Sequence, residues 1–330
     1  MSPYRLNVST NLDFKSVAVI IATHKMFPQL DSCLQSFRQL LPEPHDLVLV
    51  DNGSEENIKK WADTRLSGIT VIRLPENRLF CGGYNAGIKV AIERGYEFVL
   101  MVNADTEVAN PLFLKGLLAT AYRWPKAAFI GPLVYYRSRG LIQKTCLQYP
   151  KILRNISIWL PWRLARKYFQ QQPRNEAVVE FLNGICVLCR VSALREIGLM
   201  DERLGGYVED ADWAWRAREK GWVSVFTPVP SVIHHEEVFG YNHYSMKSFL
   251  LKRNTVLWFL KTRKRRSAIA YAAAAIVLAQ IRMMFELSKE SKKEHKYFLK
   301  RLQRVYKGLF KGEEMGEWFG PPLGNWENKL

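Results

Sequence analysis

Four short apolar runs, Val17-Ala-Val-Ile-Ile-Ala22, Asp46-Leu-Val-Leu-Val-Asp51, Ile69-Thr-Val-Ile-Arg-Leu74 and Tyr96-Glu-Phe-Val-Leu-Met-Val102, alternate with stretches of helical spacing. The unit is about thirty residues, the length of a βαβ crossover. After the first run, Pro28 leads into Leu30, Cys33, Leu34, Phe37 and Leu41, one apolar stripe of a helix. Residues 55–66 and 84–94, the latter closed by Gly95, read as two more helices. The pattern predicts an α/β fold with a mainly parallel central sheet and helices on both faces. Ligands of such sheets bind beyond the carboxyl ends of the strands. Thr23 and His24, the turn Asp51-Asn-Gly-Ser54 and Asn103-Ala-Asp105 should therefore open onto one edge.

Downstream, a helix follows Pro111, Ala127-Ala-Phe-Ile-Gly131 forms a strand, and residues 137–177 carry Arg, Trp and Gln without periodicity, as a variable substrate-side segment would. Phe181-Leu-Asn-Gly-Ile-Cys-Val-Leu-Cys189 returns to strand and residues 209–220 to helix, and beyond residue 240 the pattern is helical throughout. A catalytic domain over residues 1–240 and a helical extension over 241–330 are expected. With 48% hydrophobic and 24% charged residues, the composition excludes a disordered or fibrous chain. Charge is uneven: residues 241–330 hold 19 Lys/Arg against 7 Asp/Glu, so +12 of the net +17 lies there. Such a surface attracts a membrane face, a nucleic acid or a phosphorylated substrate. The five cysteines are odd in number and scattered, and no secretory signal precedes the first strand, which points to a reducing cytosol. Cys186 and Cys189, three apart on a strand, face opposite sides and read as small core residues.

Several acids and one glycine-rich stretch carry possible chemistry. Asp105 suits a hard cation, and equally suits the cap of the next helix. Asp51 ends a strand within a sequence that also makes a good turn, and two acids at neighbouring strand ends favour a site. Glu209-Asp-Ala-Asp212 places three carboxylates in one helical turn. The macrodipole favours each by about 0.3–1 kcal/mol, while their mutual repulsion raises a pKa, as a general base needs. His234-His235 closes a strand after Pro228 and Pro230, where a histidine is more often a core residue than a ligand. Residues 75–88 read as a glycine-rich turn at a helix start, suited to a phosphate or ribose. They are not a dinucleotide fingerprint: G-x-G-x-x-G is absent, and the glycines follow the third strand rather than the first.

Taken in order, Ile20-Ile-Ala-Thr-His24, Val50-Asp-Asn-Gly-Ser54, Asn77-Arg-Leu-Phe-Cys-Gly-Gly-Tyr-Asn-Ala-Gly87, Leu100-Met-Val-Asn-Ala-Asp105, Phe181-Leu-Asn-Gly184, Glu209-Asp-Ala-Asp-Trp213 and Val232-Ile-His-His235 resemble family-two glycosyltransferases. Within them the series is most similar to the bacterial rhamnosyltransferase branch, from about residue 17 to about residue 260. The resemblance implies a GT-A fold and an inverting transfer from a nucleotide diphosphate sugar, dTDP-rhamnose first and UDP-hexoses or UDP-galactofuranose next. Its acceptor would be a saccharide or lipid-linked saccharide. It implies that Thr23 and Asp51 contact the nucleoside, and that Arg78, Gly82, Gly83 and Asn103 lie by the donor. Asp105 and His234 would hold Mg²⁺ or Mn²⁺, and Asp210 would be the general base supported by Glu209 and Asp212. Asn103 departs from the usual Asp-x-Asp and leaves the metal fewer charged ligands.

Phe249-Leu-Leu-Lys-Arg-Asn254 looks like the Arg-Asn helix that follows the catalytic domain in this branch. In the basic tail, Lys261-Thr-Arg-Lys-Arg-Arg266 precedes the uncharged stretch Ala268 to Ala279, too short for the about 20 residues that span a bilayer. Phe298, Leu302, Val305 and Leu309 then form one stripe of a basic helix, which reads as interfacial or as packed on the catalytic domain. A cytoplasmic enzyme peripheral on the inner face of the cell membrane is expected. A nucleotidyltransferase would want a glycine- and lysine-rich loop after the first strand, which Ala22-Thr-His-Lys-Met26 does not supply. A nucleic-acid binder would interleave aromatic and basic residues along a groove, and no nucleic acid partner is expected.

Overall fold

Each apolar run needs cover on both faces, and the chain supplies it. A computed structural model describes residues 17–25, 28–137, 140–151, 172–235, 244–262, 264–285 and 289–311. Strands β1 (Val17–Thr23), β2 (Leu47–Asp51), β3 (Thr70–Arg73) and β4 (Phe98–Asn103) lie side by side in the order β3-β2-β1-β4, all parallel. Helices α1 (Pro28–Arg38), α2 (Ile58–Arg65) and α3 (Leu79–Glu93) make the crossovers. Alternate residues part to opposite faces. Val17, Val19 and Ile21 join the apolar layer of α1, α2 and α4 (Phe113–Arg123), whereas Ala18 and Ile20 join that of α3.

Beyond β4 the sheet becomes mixed. β11 (Cys186–Arg190) runs antiparallel to both β4 and β6 (Ala127–Tyr136). Next to β6 lies β12 (Val223–His234), parallel to it, with β5 (Thr106–Val108) antiparallel on the far edge of β12. The short strands β7 (Ile142–Gln143) and β9 (Ala177–Val179) pair with β6 and β12, and β8 (Cys146–Leu147) pairs with β10 (Phe181–Leu182). The substrate-side segment expected over 137–177 is described at its two ends, and its residues 138–139 and 152–171 lie outside the described residues. All five cysteines are unpaired and buried. Cys186 and Cys189 fall in the two opposite apolar layers, as their spacing requires.

Two local expectations are corrected. Phe181–Cys189 is not one strand: it breaks at Asn183-Gly184, between β10 and β11. The glycine-rich stretch is not a turn, because α3 already begins at Leu79 and carries Gly82, Gly83 and Gly87 within it. Glycine costs about 1 kcal/mol in a helix, but here it buys close packing: a Cβ on Gly87 would stand 2.5 Å from Ile20 Cγ2 and 3.2 Å from Val50 Cγ2.

Helices α5 (Val191–Ile197) and α6 (Glu209–Glu219) lie on the α3 side, and α7 (Tyr244–Lys261), α8 (Arg265–Phe285) and α9 (Lys289–Lys311) follow. The boundary expected at residue 240 falls among residues 236–243, outside those described. Past it, α7 shares the core of the first part. Trp258 is fully buried, stacked 6.0 Å from Tyr149 and edge-on 5.7 Å from Trp215. Leu302, Val305 and Leu309 of α9 are buried in the same layer. Each such side chain gains about 1.5–3 kcal/mol by leaving water, so the stripe expected at a membrane interface faces inward, while the side chain of Phe298 lies outside the described residues. Outward α9 shows Lys296, Lys300, Arg304, Lys307 and Lys311. Among the described residues no helix is long and apolar enough to cross a membrane.

The contact of α3 with the sheet yields a test. Gly87→Ala gains about 1 kcal/mol of helix propensity but overpacks a β-branched core residue at a cost of about 1–3 kcal/mol. The denaturant midpoint should therefore fall. A midpoint equal to or above wild type would mean that α3 lifts freely from β1 and β2.

Candidate active site

Strand register decides what meets at the carboxyl edge. Thr23 lies opposite Asp51, and Ala22 opposite Asn103, so the ends of β1, β2 and β4 align. Because β11 runs the other way, its beginning reaches the same edge, where the Asn103 N–H donates to Ile185 O at 2.8 Å. A cavity of about 710 Å³ opens there, between the strand ends, the first turn of α6 and the start of α7. Of the residues expected from sequence, Thr23, Asn103, Glu209 and Asp210 line it. Asp51, Arg78, Gly82, Gly83, Asp105, Asp212 and His234 are not in its lining.

Asp51 does serve its turn, with Oδ1 accepting from the Ser54 N–H at 3.0 Å and Gly53 at φ 75°. Its Oδ2, fully buried and 3.6 Å from Arg73 Nε, accepts no hydrogen bond among the described residues. Thr23 is 4% exposed and donates to Lys25 O at 2.6 Å. Asn52 fastens the next segment: its Nδ2 donates to Leu79 O at 2.9 Å and Asn77 Oδ1 at 3.2 Å, and its Oδ1 accepts from the Arg78 N–H at 2.9 Å. This clamp starts α3 early, and a Cβ on Gly83 would touch Asn52 Nδ2 at 3.0 Å. The Arg78 guanidinium pairs with Glu202. Gly82, Gly83 and Arg78 thus serve the packing of the start of α3 behind the cavity lining.

Asp105 and His234 are brought together by β5 pairing with β12, which sets Thr106 opposite His234. The His235 N–H donates to Asp105 O at 2.9 Å and tightens the pair. His234 Nδ1 faces Gln143 Oε1 at 2.9 Å. An amide oxygen only accepts, so Nδ1 donates to it. Its Nε2 lies 3.2 Å from Asp105 Oδ1, a buried oxygen that accepts no hydrogen bond among the described residues. A buried carboxylate oxygen and an imidazole nitrogen this close can offer two ligands to a cation, and an imidazole whose other nitrogen is held suits ligation. Mg²⁺ or Mn²⁺ fits this donor set, because such ions fill the rest of their shell with phosphate and water oxygens. Among the described residues no third His, Cys, Asp or Glu completes a cluster.

The acids of α6 divide. Asp210 Oδ2 accepts from the Gly184 N–H at 3.2 Å, and a Cβ on Gly184 would stand 2.9 Å from Asp210 Oδ1, so the break in the strand is what admits the carboxylate. Burial pushes the Asp210 carboxyl up to about 7, opposed in part by the Gly184 N–H. Glu209, 5% exposed, is driven well above the ordinary carboxylate range by burial first and by the charge of Asp210 second. Asp212 stands about 200° round the helix from Asp210 and turns away, 3.0 Å from Arg216 Nε and paired with Lys261. It anchors α6 instead of reaching the cavity.

Sequence reasoning missed the left-handed residues Tyr207 (φ 65°) and Val208 (φ 72°) before α6, and Lys247 and Leu251 of α7 in the cavity wall. Gly205-Gly206 and the absence of a polar cap before Glu209 were the available signals. Gln143, which holds His234 Nδ1, lay in the segment without periodicity.

The family model of glycosyl transferase family 2 matches residues 18–198. An N-acetylglucosaminyl-diphospho-decaprenol L-rhamnosyltransferase of Mycobacterium tuberculosis is 28% identical over 298 residues, covering 80% of this chain and 94% of its own. A low-salt glycan biosynthesis hexosyltransferase, Agl10 of Haloferax volcanii, is 25% identical over 252 residues, covering 73% and 77%. The crystal structure of GalNAc-T7 with UDP, GalNAc and Mn²⁺ superposes with a TM-score of 0.59 at 16% identity, covering 91% of this chain and 56% of that one, a likeness of fold. The parallel half-sheet, its strand-end acids and these matches agree: the chain belongs to glycosyl transferase family 2, as a GT-A-fold glycosyltransferase of the rhamnosyltransferase-like branch.

Proposed function

We propose that the chain is an inverting transferase that moves a sugar, rhamnose from dTDP-rhamnose first, onto a hydroxyl of a saccharide or lipid-linked saccharide in cell-surface polysaccharide synthesis. The observation that carries this reading is Asp210, a carboxylate at the cavity wall, held by Gly184 opposite the ends of β1 and β4 and raised to about 7. The similarity to the mycobacterial rhamnosyltransferase supports the donor and the lipid-linked acceptor. A UDP-hexose or UDP-galactofuranose is the alternative donor, and the similarity to the archaeal hexosyltransferase favours a hexose.

The nucleotide sits against Thr23 and Asn103, and the unpaired buried oxygen of Asp51 just behind them accepts from the base. Asp105 and His234 would hold a divalent cation, which would supply positive charge against the departing diphosphate. With Asn at position 103, only one carboxylate serves it, so the cation binds together with the donor. Across the cavity, Asp210 takes the proton of the acceptor hydroxyl as that oxygen attacks the anomeric carbon from the face opposite the diphosphate, and inversion follows. Glu209, protonated and buried beside it, leaves Asp210 without a competing charge. Asp212 supports the base by fixing α6. The outward basic face of α9 holds the enzyme to the anionic cytoplasmic leaflet, each Lys or Arg contributing about 1 kcal/mol near the surface.

Asp210→Asn should lower turnover by about 10²–10⁴-fold with donor affinity nearly unchanged. Near wild-type turnover, or a product that keeps the donor's anomeric configuration, would falsify the mechanism. Because the base works deprotonated, turnover should also fall below a limb near pH 7, about tenfold per unit. A flat profile down to pH 5 in wild type argues against Asp210. Mn²⁺ should tighten donor binding in calorimetry, and His234→Ala or Asp105→Asn should remove that gain. A donor affinity indifferent to Mn²⁺ and EDTA rejects the metal site. Lastly, co-sedimentation with phosphatidylglycerol vesicles should weaken by more than about tenfold in the triple variant Lys300→Gln, Arg304→Gln, Lys307→Gln. Binding that is equal in both proteins, or insensitive to salt, rules out this face.

A further inference from the structure

We infer that Asn254 of α7 is a positioning residue for the acceptor-side base, holding residues 204–207 on the backbone path that delivers Asp210 to the cavity. The inference rests on the reading of Asp210 as base. Asn254 is fully buried, and three carbonyls surround its one amide nitrogen: the two N–H of Nδ2, one of them bifurcated, are shared among Leu204 O at 2.9 Å, Gly206 O at 2.7 Å and Tyr207 O at 2.8 Å. Its Oδ1 accepts from Arg253 Nη1 at 2.8 Å, while Arg253 Nη2 donates to Arg203 O at 2.9 Å. The adjacent pair thus grips four carbonyls of one short loop.

That loop needs the grip. Tyr207 and Val208 stand at φ 65° and 72°, a left-handed conformation unfavourable for any residue with a Cβ and most of all for a β-branched one. Strained backbone persists only where its surroundings over-determine it, and here the surroundings are the Asn254 amide. Val208 O then accepts from the Asp212 N–H at 2.9 Å as the first bond of α6, so the path at 207–208 sets the direction of the helix that carries Asp210. Lys261, on the same helix as Asn254, pairs with Asp212 and with Asp201 at 2.9 Å, fixing both ends of the segment. If the loop relaxes, Asp210 leaves the Gly184 N–H, whereas Thr23 and Asn103, on β1 and β4, stay in place. Displacing a reacting group by about 1 Å costs about 10²-fold in rate.

Asparagine is needed for its donors. Asn254→Asp preserves shape but offers the three carbonyls only acceptors, and Asn254→Ala removes the group. Both should lose about 10²-fold in turnover, while donor affinity by calorimetry stays within about twofold. The acid limb of the residual activity should move to lower pH as water reaches Asp210. The other ionisable groups that face it, Glu209 on α6, Cys81 on α3, Cys189 on β11, and Lys144 and Lys247 in the cavity wall, belong to elements outside the released loop. Adding Val208→Gly to Asn254→Ala should restore turnover by about fivefold or more, since glycine takes a positive φ without strain. Wild-type turnover with an unmoved limb in Asn254→Asp overturns the inference. So does a parallel loss of donor affinity and turnover, and so does a double variant no better than Asn254→Ala. Asp210→Asn, measured alongside, separates the two levels. If it retains turnover, the base assignment falls and takes this inference with it; if it loses turnover while Asn254→Asp does not, the positioning role falls alone.

Discussion

The antiparallel pairing of β11 with both β4 and β6 is the constraint on which the cavity depends. A wholly parallel sheet would line its carboxyl edge with strand ends alone, all of them donor-side groups. Reversing one strand brings a strand beginning to that edge, and with it the Gly184 N–H and the break that receives Asp210. The same reversal brings the start of α6 to that edge, where it shares the cavity with the ends of β1 and β4. Burial makes the reversal stable: Cys186 and Leu188 fill the layer under α1 and α4, and Val187 and Cys189 fill the other.

How much of this was legible in the sequence follows from the range of the interactions. The strands β1 to β4 and their helices were readable because apolar periodicity is local, and the alignment of Thr23, Asp51 and Asn103 followed from one topological rule. The glycines at 82 and 83 misled because their reason is not local: a turn and a helix that must approach Asn52 closely demand the same residue. The break at Asn183-Gly184 was hidden for a similar reason. The flanking residues are strand-like, and the partner that interrupts them lies 26 residues away at Asp210. Of the three clustered acids, helical geometry separates Asp212 from Asp210, but only the position of Lys261 shows what Asp212 does instead.

The C-terminal helices show the same competition between local pattern and distant partner. Leu302, Val305 and Leu309 have the spacing of an interfacial helix, and that spacing equally suits a helix packed on protein. Core burial takes them, because α7 and α8 present apolar surface on the same chain at high effective concentration, whereas a membrane must be met by diffusion. What remains outward is charge, so the membrane attraction proposed above would be electrostatic, reversible and salt-sensitive.

Three buried carboxylate oxygens lack hydrogen bonds among the described residues around this edge: Asp51 Oδ2, Asp105 Oδ1 and Glu209 Oε2. A buried acceptor left unmade costs about 1–3 kcal/mol, and a chain selected for stability alone would replace each with an apolar residue. Their chemistry differs in an ordered way. Asp51 stands on the second strand beside Thr23 with one oxygen unpaired; Asp105 lies 3.2 Å from an imidazole nitrogen; Glu209 is desolvated next to a second carboxylate, which raises its pKa. On the reading proposed above, the three answer the demands of sugar transfer from a nucleotide: recognition of the base, neutralisation of the diphosphate, and control of a proton at the acceptor. The fold sustains their cost because the sheet is buried on both faces, and the strained backbone at Tyr207 and Val208 draws on the same reserve through the amide of Asn254.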